Sequence, residues 1–396
     1  MSAPVAPAIP DEVLEIARTL EAAGHEVWCV GGALRDALLG HSHSDYDFAT
    51  SATPAQVTAL FRRTAPVGEK YGTVGVLDRH RVVHEVTTFR RDVATDGRHA
   101  VVAYGVSLEE DLARRDFTIN AIAYHPLRGE WRDPFGGRED LARRLIRAVG
   151  EPAERFREDY LRILRGLRFA ARLGFTVEPA TWAAAVAAAP GLAQLSAERV
   201  RDEWFKGLRT ARSPAELVDL WTRAGAAERW IPELGSVSPA LLARAREVPV
   251  ARRDPVLLTM LLVNDAAPVL RRLRASNSEI ERAAAVARGP AAPAGPDPRA
   301  VRRWLAAVGR AADDLLALES LRTGAEPAWA GVVSEIRARH EPLTRGDLAI
   351  SGADLQALGA AGPRIGELLA ALLDRVLDDP GLNDRATLLA LARELL

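Results

Sequence analysis

Gly31-Gly32-Ala33-Leu34-Arg35-Asp36, followed nine residues on by Asp45-Tyr46-Asp47-Phe48, joins a phosphate-cradling turn to a pair of carboxylates. Before it, Glu26-Val27-Trp28-Cys29-Val30 reads as a short buried strand. The two glycines let the backbone turn tightly, and Ala33 to Leu39 has the composition of a helix closed by Gly40. Backbone N–H groups at such a helix start suit an anion. Asp45 and Asp47 stand two apart in what reads as a second strand, so a period of two puts both carboxylates on one face and Tyr46 and Phe48 on the other. Carboxylates placed this way can share hard, oxygen-seeking Mg²⁺ ions. Gly-Gly turns and Asp-x-Asp pairs are each common in ordinary solvated loops. Joined, with Arg35 one helical turn beyond the glycines to reach a triphosphate, they point to nucleotidyl transfer.

The whole of Val30 to Thr50, VGGALRDALLGHSHSDYDFAT, resembles the signature of the class II tRNA nucleotidyltransferases and bacterial poly(A) polymerases of the polymerase-beta superfamily. The resemblance implies an α+β chain: an N-terminal nucleotidyltransferase head of mixed β-sheet with helices, followed by an all-α neck, body and tail. The expected boundaries are 1–145 for the head, 146–210 for a neck carrying a nucleotide-template helix, 211–290 for the body and 291–396 for a tRNA-binding tail. It also implies that Asp45 and Asp47 hold Mg²⁺ and that Gly32 and Arg35 meet the nucleotide.

Composition sets limits. At 396 residues, 48% hydrophobic and 27% charged, the chain suits a soluble protein of two to four domains. MSAPVAPAIPDEV at the start has neither a basic region nor an apolar run, so it reads as a frayed start and not a signal peptide, and a cytoplasmic location is expected. A net charge of −1 excludes bulk basicity as an argument for nucleic acid, so the position of the charges has to carry it. All but Lys70 and Lys206 of the 52 basic residues are arginine. The single Cys29, in an apolar strand, excludes an internal disulfide or a cysteine zinc cage and reads as a buried structural thiol. His41-Ser42-His43 reads as a polar turn.

Past Thr50, Thr53 as N-cap, Pro54 in the first turn and Gln56 closing a capping box start a helix expected to run to about Arg63. Gly72 to Leu77 and Arg81 to Phe89 read as a strand pair, and alternation puts Val83, Glu85 and Thr87 on one face. Glu85 is then a candidate third catalytic carboxylate, or equally a solvated strand residue paired with an arginine. RDVATDGRHAVVAYGVS, residues 91–107, reads as a polar loop without firm periodicity, able to move over a site. RRDFTINAIA, from Arg114, matches the family's second motif. There Arg115 offers a guanidinium for phosphate or ribose, Asp116 is expected to orient it, and Asn120 can bond a sugar hydroxyl. Trp131 to Gly137, then Asp140-Leu141, resembles the third motif, a joint between head and neck.

ERFREDYLRILRGLRFAARLGF, residues 154–175, reads as one long helix. Leu161, Leu164 and Leu167 form an apolar stripe, while Asp159, Arg162, Arg165 and Arg168 recur at the same spacing on a neighbouring face. Spacing alone suits a solvated face with ion pairs. The resemblance of EDYLR, Glu158 to Arg162, to the family's fourth motif implies instead that Asp159 and Arg162 hydrogen-bond the incoming base, with Arg165 and Arg168 facing the triphosphate or stiffening that pair. Leu195 to Lys206 resembles a fifth motif in which Glu198-Arg199 buttress the template helix. Helical sequence with breaks at Ser213-Pro214, Ile231-Pro232 and Ser238-Pro239 runs on to about Arg288; GPAAPAGP, 289–296, marks a linker, and three or four helices are expected after it. Gly362-Pro363-Arg364-Ile365-Gly366 suggests phosphate contact by Arg364.

As a whole the resemblance implies template-independent addition of CMP, CMP and AMP to the 3′ end of tRNA from CTP and ATP, with pyrophosphate released, and no DNA or membrane partner. A CC-adding or A-adding enzyme and a poly(A) polymerase share these motifs; a compact helical tail without a long basic extension favours the tRNA enzyme. A non-catalytic RNA-binding protein would keep the arginines and lose the acids. The loop at 91–107 reads Arg98-His99-Ala100 where full CCA-adding relatives are expected to carry Arg-Arg-Pro.

Overall fold

Residues 7–41, 46–67, 72–95 and 100–396 are described by the computed structural model of the chain, with backbone alone for 92–95 and 100–102. The chain divides into two compact units, Met1–Gly235 and Ser236–Leu396. The first is built on helix α1 (Asp11–Ala22), strand β1 (Val27–Val30), α2 (Gly32–Leu38), β2 (Asp47–Thr50), α3 (Pro54–Leu60), β3 (Thr64–Ala65), β4 (Thr73–Leu77) and β5 (Val83–Thr88). It continues through β6 (Arg90–Thr95), β7 (Ala100–Tyr104), α4 (Leu108–Ala113), β8 (Ala123–His125), β9 (Glu130–Arg132) and α5 (Gly137–Arg143). Seven of these strands form one mixed sheet in the order β3-β4-β5-β2-β1-β8-β9.

Val27-Trp28-Cys29-Val30 is apolar at every position because both faces of β1 are covered. Val27 and Cys29 join α1 (Val13, Ile16, Leu20), Phe48, Val57 and Val86 in one cluster. Trp28 and Val30 join Ala49, Phe89, Leu108 and Leu112 in a second cluster on the other face. Fully burying side chains of this size contributes roughly 1.5–3 kcal/mol each. The Thr53 capping box starts α3 as expected, although the helix stops at Leu60, short of Arg63.

Two segments depart from expectation. Residues 90–95 and 100–104, largely inside the expected loop, are strands β6 and β7, paired antiparallel with a register shift between Asp92 and Ala94, while Gly97, Arg98 and His99 lie outside the described residues. Valines at 93, 101 and 102 supply strand propensity that the surrounding polar residues mask. The long helix expected over 154–175 is two helices, α6 (Pro152–Glu158) and α7 (Leu161–Leu173), with Asp159 between them in extended backbone at φ −155°, ψ 105°. Gly174, left-handed at φ 65°, ends α7. After α8 (Pro179–Ala188), helix α9 (Ala197–Thr210) packs against α7, and its Trp204 meets Trp221 edge-on at 4.9 Å, both fully buried.

The second unit is helical among the described residues. Residues 289–297 form an irregular exposed connection, and six α-helices follow it, from Pro298–Val308 to Arg385–Leu395, where three or four were expected; breaks at Gly309, Gly324 and Gly359 cut them short. One apolar cluster there surrounds Trp304 and Trp329, another Leu355, Leu372 and Leu388. No helix among the described residues is long and apolar enough to cross a membrane.

Candidate active site

Antiparallel pairing of β1 with β2 sets Val30 opposite Asp47, so Asp47 stands at the end of the strand that runs into Gly31. Parallel pairing of β2 with β5 sets Phe48 beside Val86, both fully buried. One residue earlier on each strand, Asp47 and Glu85 therefore share the opposite face, and both line a cavity of about 650 Å³. Gly31 has φ +80°, and a Cβ there would lie 3.2 Å from Asp47 Oδ2 and 3.6 Å from Arg115 Nη1. Glycine is thus required both for the turn and for room in front of the carboxylate. Asp45 and His43 lie outside the described residues. Burial, with the Asp47 charge adding to it, pushes the Cys29 thiol up, so it stays protonated and inert.

Seven arginines and four carboxylates line this cavity, an excess of positive charge suited to a triphosphate. The arginines are held from behind. Arg35, only 2% exposed, donates through Nε to Asp36 Oδ1 at 2.7 Å and through Nη1 to Asn120 Oδ1 at 2.7 Å. Asp36 also accepts from Arg172 Nη2 at 2.6 Å. Asn120 donates to Asp116 Oδ1 at 2.9 Å, and Arg165 Nε donates to Asp116 Oδ2 at 2.7 Å. Burial works to raise the Asp116 carboxyl, but the Arg165 charge and the hydrogen bonds from Asn120, Arg165 and the Phe117 amide outweigh it and hold it at about 2. Arg115 reaches Asp111 Oδ2 at 3.1 Å and the Asn120 carbonyl at 3.2 Å. Its buried Nε has no partner among the described residues, leaving a donor for an anion.

Asp116 therefore orients Arg165, not Arg115 as the sequence suggested, and Asn120 joins Arg35 to Asp116 through its own amide. Behind this turn, Asp140 on α5 accepts from Thr118 Oγ1 and, at 2.9 Å, from Arg147 Nε, which fixes the shape of the RRDFTIN segment. Asp133 caps α5 by accepting from the Gly137 and Arg138 amides at 2.7 and 2.9 Å.

Opposite the sheet lies the break between α6 and α7. Asp159 accepts from the Leu161 amide at 3.0 Å and from Arg199 Nη2 at 2.7 Å. Arg162 donates from Nη1 to the Arg155 carbonyl at 2.9 Å and to Glu158, and from Nη2 to the Arg114 carbonyl at 3.1 Å. A guanidinium has five N–H donors, so among the described residues its Nε–H and one N–H on Nη2 are left without a partner. Asp159, Arg162 and Arg199 all line the cavity.

Gly32, Arg35, Asp47, Glu85, Arg115, Asp159, Arg162 and Arg165 thus come together from segments that are far apart in sequence. Arg168 does not line the cavity; it is 8% exposed, its Nε donates to Glu203, and it sits 4.3 Å from the ring centre of Phe169. Arg364, in the second unit, is half-exposed and engages Glu367 at 3.0 Å and the Leu395 carbonyl. Sequence reading missed Arg90, Arg114 and Phe169 as lining residues. Phe169 follows Arg165 by four residues on α7, the helical spacing that stacks Arg165 5.5 Å from its ring centre.

Residues 27–147 match the family model described as the Poly A polymerase head domain, and 174–236 match that described as the probable RNA and SrmB-binding site of polymerase A. The chain is 37% identical to the CCA-adding enzyme of Geobacillus stearothermophilus, over 96% of this chain and 95% of that one. It is 38% identical to the CCA-adding enzyme of Geobacillus thermodenitrificans, again over 96% and 95%. The crystal structure of the Bacillus stearothermophilus CCA-adding enzyme in complex with CTP superposes with a TM-score of 0.80 at 36% identity, covering 97% of each chain. The chain belongs to the family of CCA-adding enzymes.

Proposed function

We propose that this protein adds CMP, CMP and AMP in turn to the 3′ end of tRNA, using CTP and ATP and releasing pyrophosphate, in the cytoplasm. The observation that carries this reading is the single cavity in which sheet carboxylates, a glycine turn, an arginine wall and the Asp159–Arg162 corner converge. Asp47 and Glu85 offer oxygen donors only, with Asp45 two residues before Asp47 in sequence, and Gly31 keeps the space before Asp47 clear; that donor chemistry fits Mg²⁺. Asp45 and Asp47, with Glu85 as third carboxylate, would hold Mg²⁺, which when bound would supply Lewis-acid polarisation of the α-phosphate and a lower pKa for the tRNA 3′-hydroxyl. Arg35, Arg115 and Arg165 hold the triphosphate and stabilise charge on the departing pyrophosphate. Arg168 stiffens the wall from behind. Asp159 accepts from the exocyclic amine of cytosine or adenine, and the two spare N–H donors of Arg162 meet the ring acceptors beside it. The four-part division into head, neck, body and tail, with Arg364 touching tRNA phosphate, completes the assignment.

End-labelled tRNA lacking CCA tests this. With CTP alone two nucleotides are expected, with CTP and ATP three, and with ATP alone none. Long ATP-dependent tails would make the protein a poly(A) polymerase, and a stop after two with both nucleotides present would make it a CC-adding enzyme.

A further inference from the structure

Asp111, on the first turn of α4, is 1% exposed and absent from the cavity lining, yet it gathers three groups that belong to it. Its Oδ1 accepts from the Arg90 amide at 3.3 Å and from Arg114 Nε and Nη2 at 3.1 and 3.0 Å, while Oδ2 accepts from Arg115 Nη2 at 3.1 Å. Arg114 Nε also donates to the Arg90 carbonyl at 3.1 Å, so both backbone groups of Arg90 are tied to this pair. Arg90 is the first residue of the β6–β7 hairpin, and Arg90, Arg114 and Arg115 all line the cavity. The Arg114 carbonyl accepts from Arg162 Nη2, which carries the connection on to the base-facing corner.

We propose that Asp111 is the positioning residue that links the root of the hairpin to the triphosphate-holding Arg115 and, through the Arg114 backbone, to Arg162. The proposal rests on the nucleotidyltransfer reading above. A buried carboxylate shared by two guanidinium groups and an amide fixes all three together, because moving any one leaves charge uncompensated in a dry site. A shift of the hairpin root at Arg90 is then felt by the phosphate clamp and by Arg162. Burial acts to raise the Asp111 carboxyl, and the Arg115 and Arg114 charges override it, keeping it ionised at neutral pH.

The test is steady-state kinetics on the full-length Asp111→Asn variant with CTP and ATP and tRNA acceptors ending before and after CC. Asn keeps the shape and loses the charge. The KM for both nucleotides is expected to rise about tenfold, the worth of a charged hydrogen bond, with kcat changed far less. In nucleotide KM, the readout of the triphosphate clamp, adding Asp111→Asn to Arg115→Ala is expected to cost no more than Arg115→Ala alone, since Asp111 acts on the triphosphate through Arg115. A purely structural role would lower the melting temperature and the active fraction while leaving KM unchanged, and would make the two substitutions multiply; either result overturns the proposal. If Asp111→Asn does not fold, the Asp111→Glu variant moves the charge by one methylene, and an unchanged KM in its folded form overturns the proposal equally. Wild-type protein that adds no nucleotide to any tRNA end sinks the nucleotidyltransfer reading instead, a different outcome from an active wild type with an indifferent Asp111.

Discussion

Asp47 and Glu85 reach the cavity from neighbouring parallel strands, whereas Arg35, Arg115 and Arg165 reach it from α2, the turn after α4 and α7, each tied to a carboxylate behind it. The acids owe their place to sheet register, which is fixed by the apolar clusters on both faces of β1. The arginines owe theirs to Asp36, Asp111 and Asp116, which are 1%, 1% and 7% exposed. Removing a sheet acid should therefore harm chemistry and spare the fold, while removing a supporting acid should harm the fold or the grip on nucleotide.

The largest effect is expected at Asp47. Asp47→Ala should lower nucleotide addition about a thousandfold or more, with tRNA binding in a filter assay within a few-fold of wild type, because metal chemistry and RNA grip use different groups. Substantial turnover in that folded variant would break the comparison on the acid side. Asp36→Ala, in contrast, leaves Arg35 buried with one anion fewer and should cost about 3 kcal/mol in urea unfolding. Stability unchanged there would show that the arginine wall does not depend on its rear carboxylates.

Smaller effects sharpen the picture. Deleting residues 94–103, most of the hairpin, should leave C addition nearly intact and depress A addition at least about tenfold, or 1.4 kcal/mol of barrier, if the hairpin helps the corner switch from cytosine to adenine. Equal losses for both nucleotides would remove that role. Asp116 gives the mildest signal. Its folded-state pKa of about 2 lies below the usual 3.8, so its contribution is complete above about pH 4 and is lost as pH falls through about 2. Melting curves between pH 5 and 2 should fall less steeply for Asp116→Asn than for wild type, and parallel curves would contradict the ion-pair account.

How legible the site was from sequence follows the same division. Period-two alternation set Asp47 apart from Tyr46 and Phe48 and grouped Glu85 with Val83 and Thr87, but that the two faces coincide follows from the parallel pairing of β2 with β5, which no local pattern reports. On the helical side, Asp159, Arg162, Arg165 and Arg168 keep a perfect three-residue spacing, yet Asp159 lies in the break and Arg168 turns to Glu203. The break is held by Arg199, forty residues on, a partner that the fifth-motif resemblance pointed to and helical spacing does not report. The Asp116–Arg165 pair was hidden for the same reason, its members being 49 residues apart. Asp111 could have been found: its spacing of three and four to Arg114 and Arg115 is that of helical ion pairs. The hairpin was missed because valines among polar residues and Gly97 read as a loop.

If Asp159 and Arg162 choose the nucleotide in place of a nucleic-acid template, relative kcat/KM for CTP, ATP, UTP and GTP in Asp159→Ala and Arg162→Ala will show it. Each lost base-edge hydrogen bond is worth roughly 1–3 kcal/mol of discrimination, so preference for CTP and ATP over UTP and GTP should fall about five- to a hundredfold while triphosphate affinity changes little. Unchanged ratios across the four nucleotides in both folded variants would contradict the claim that this corner reads the base.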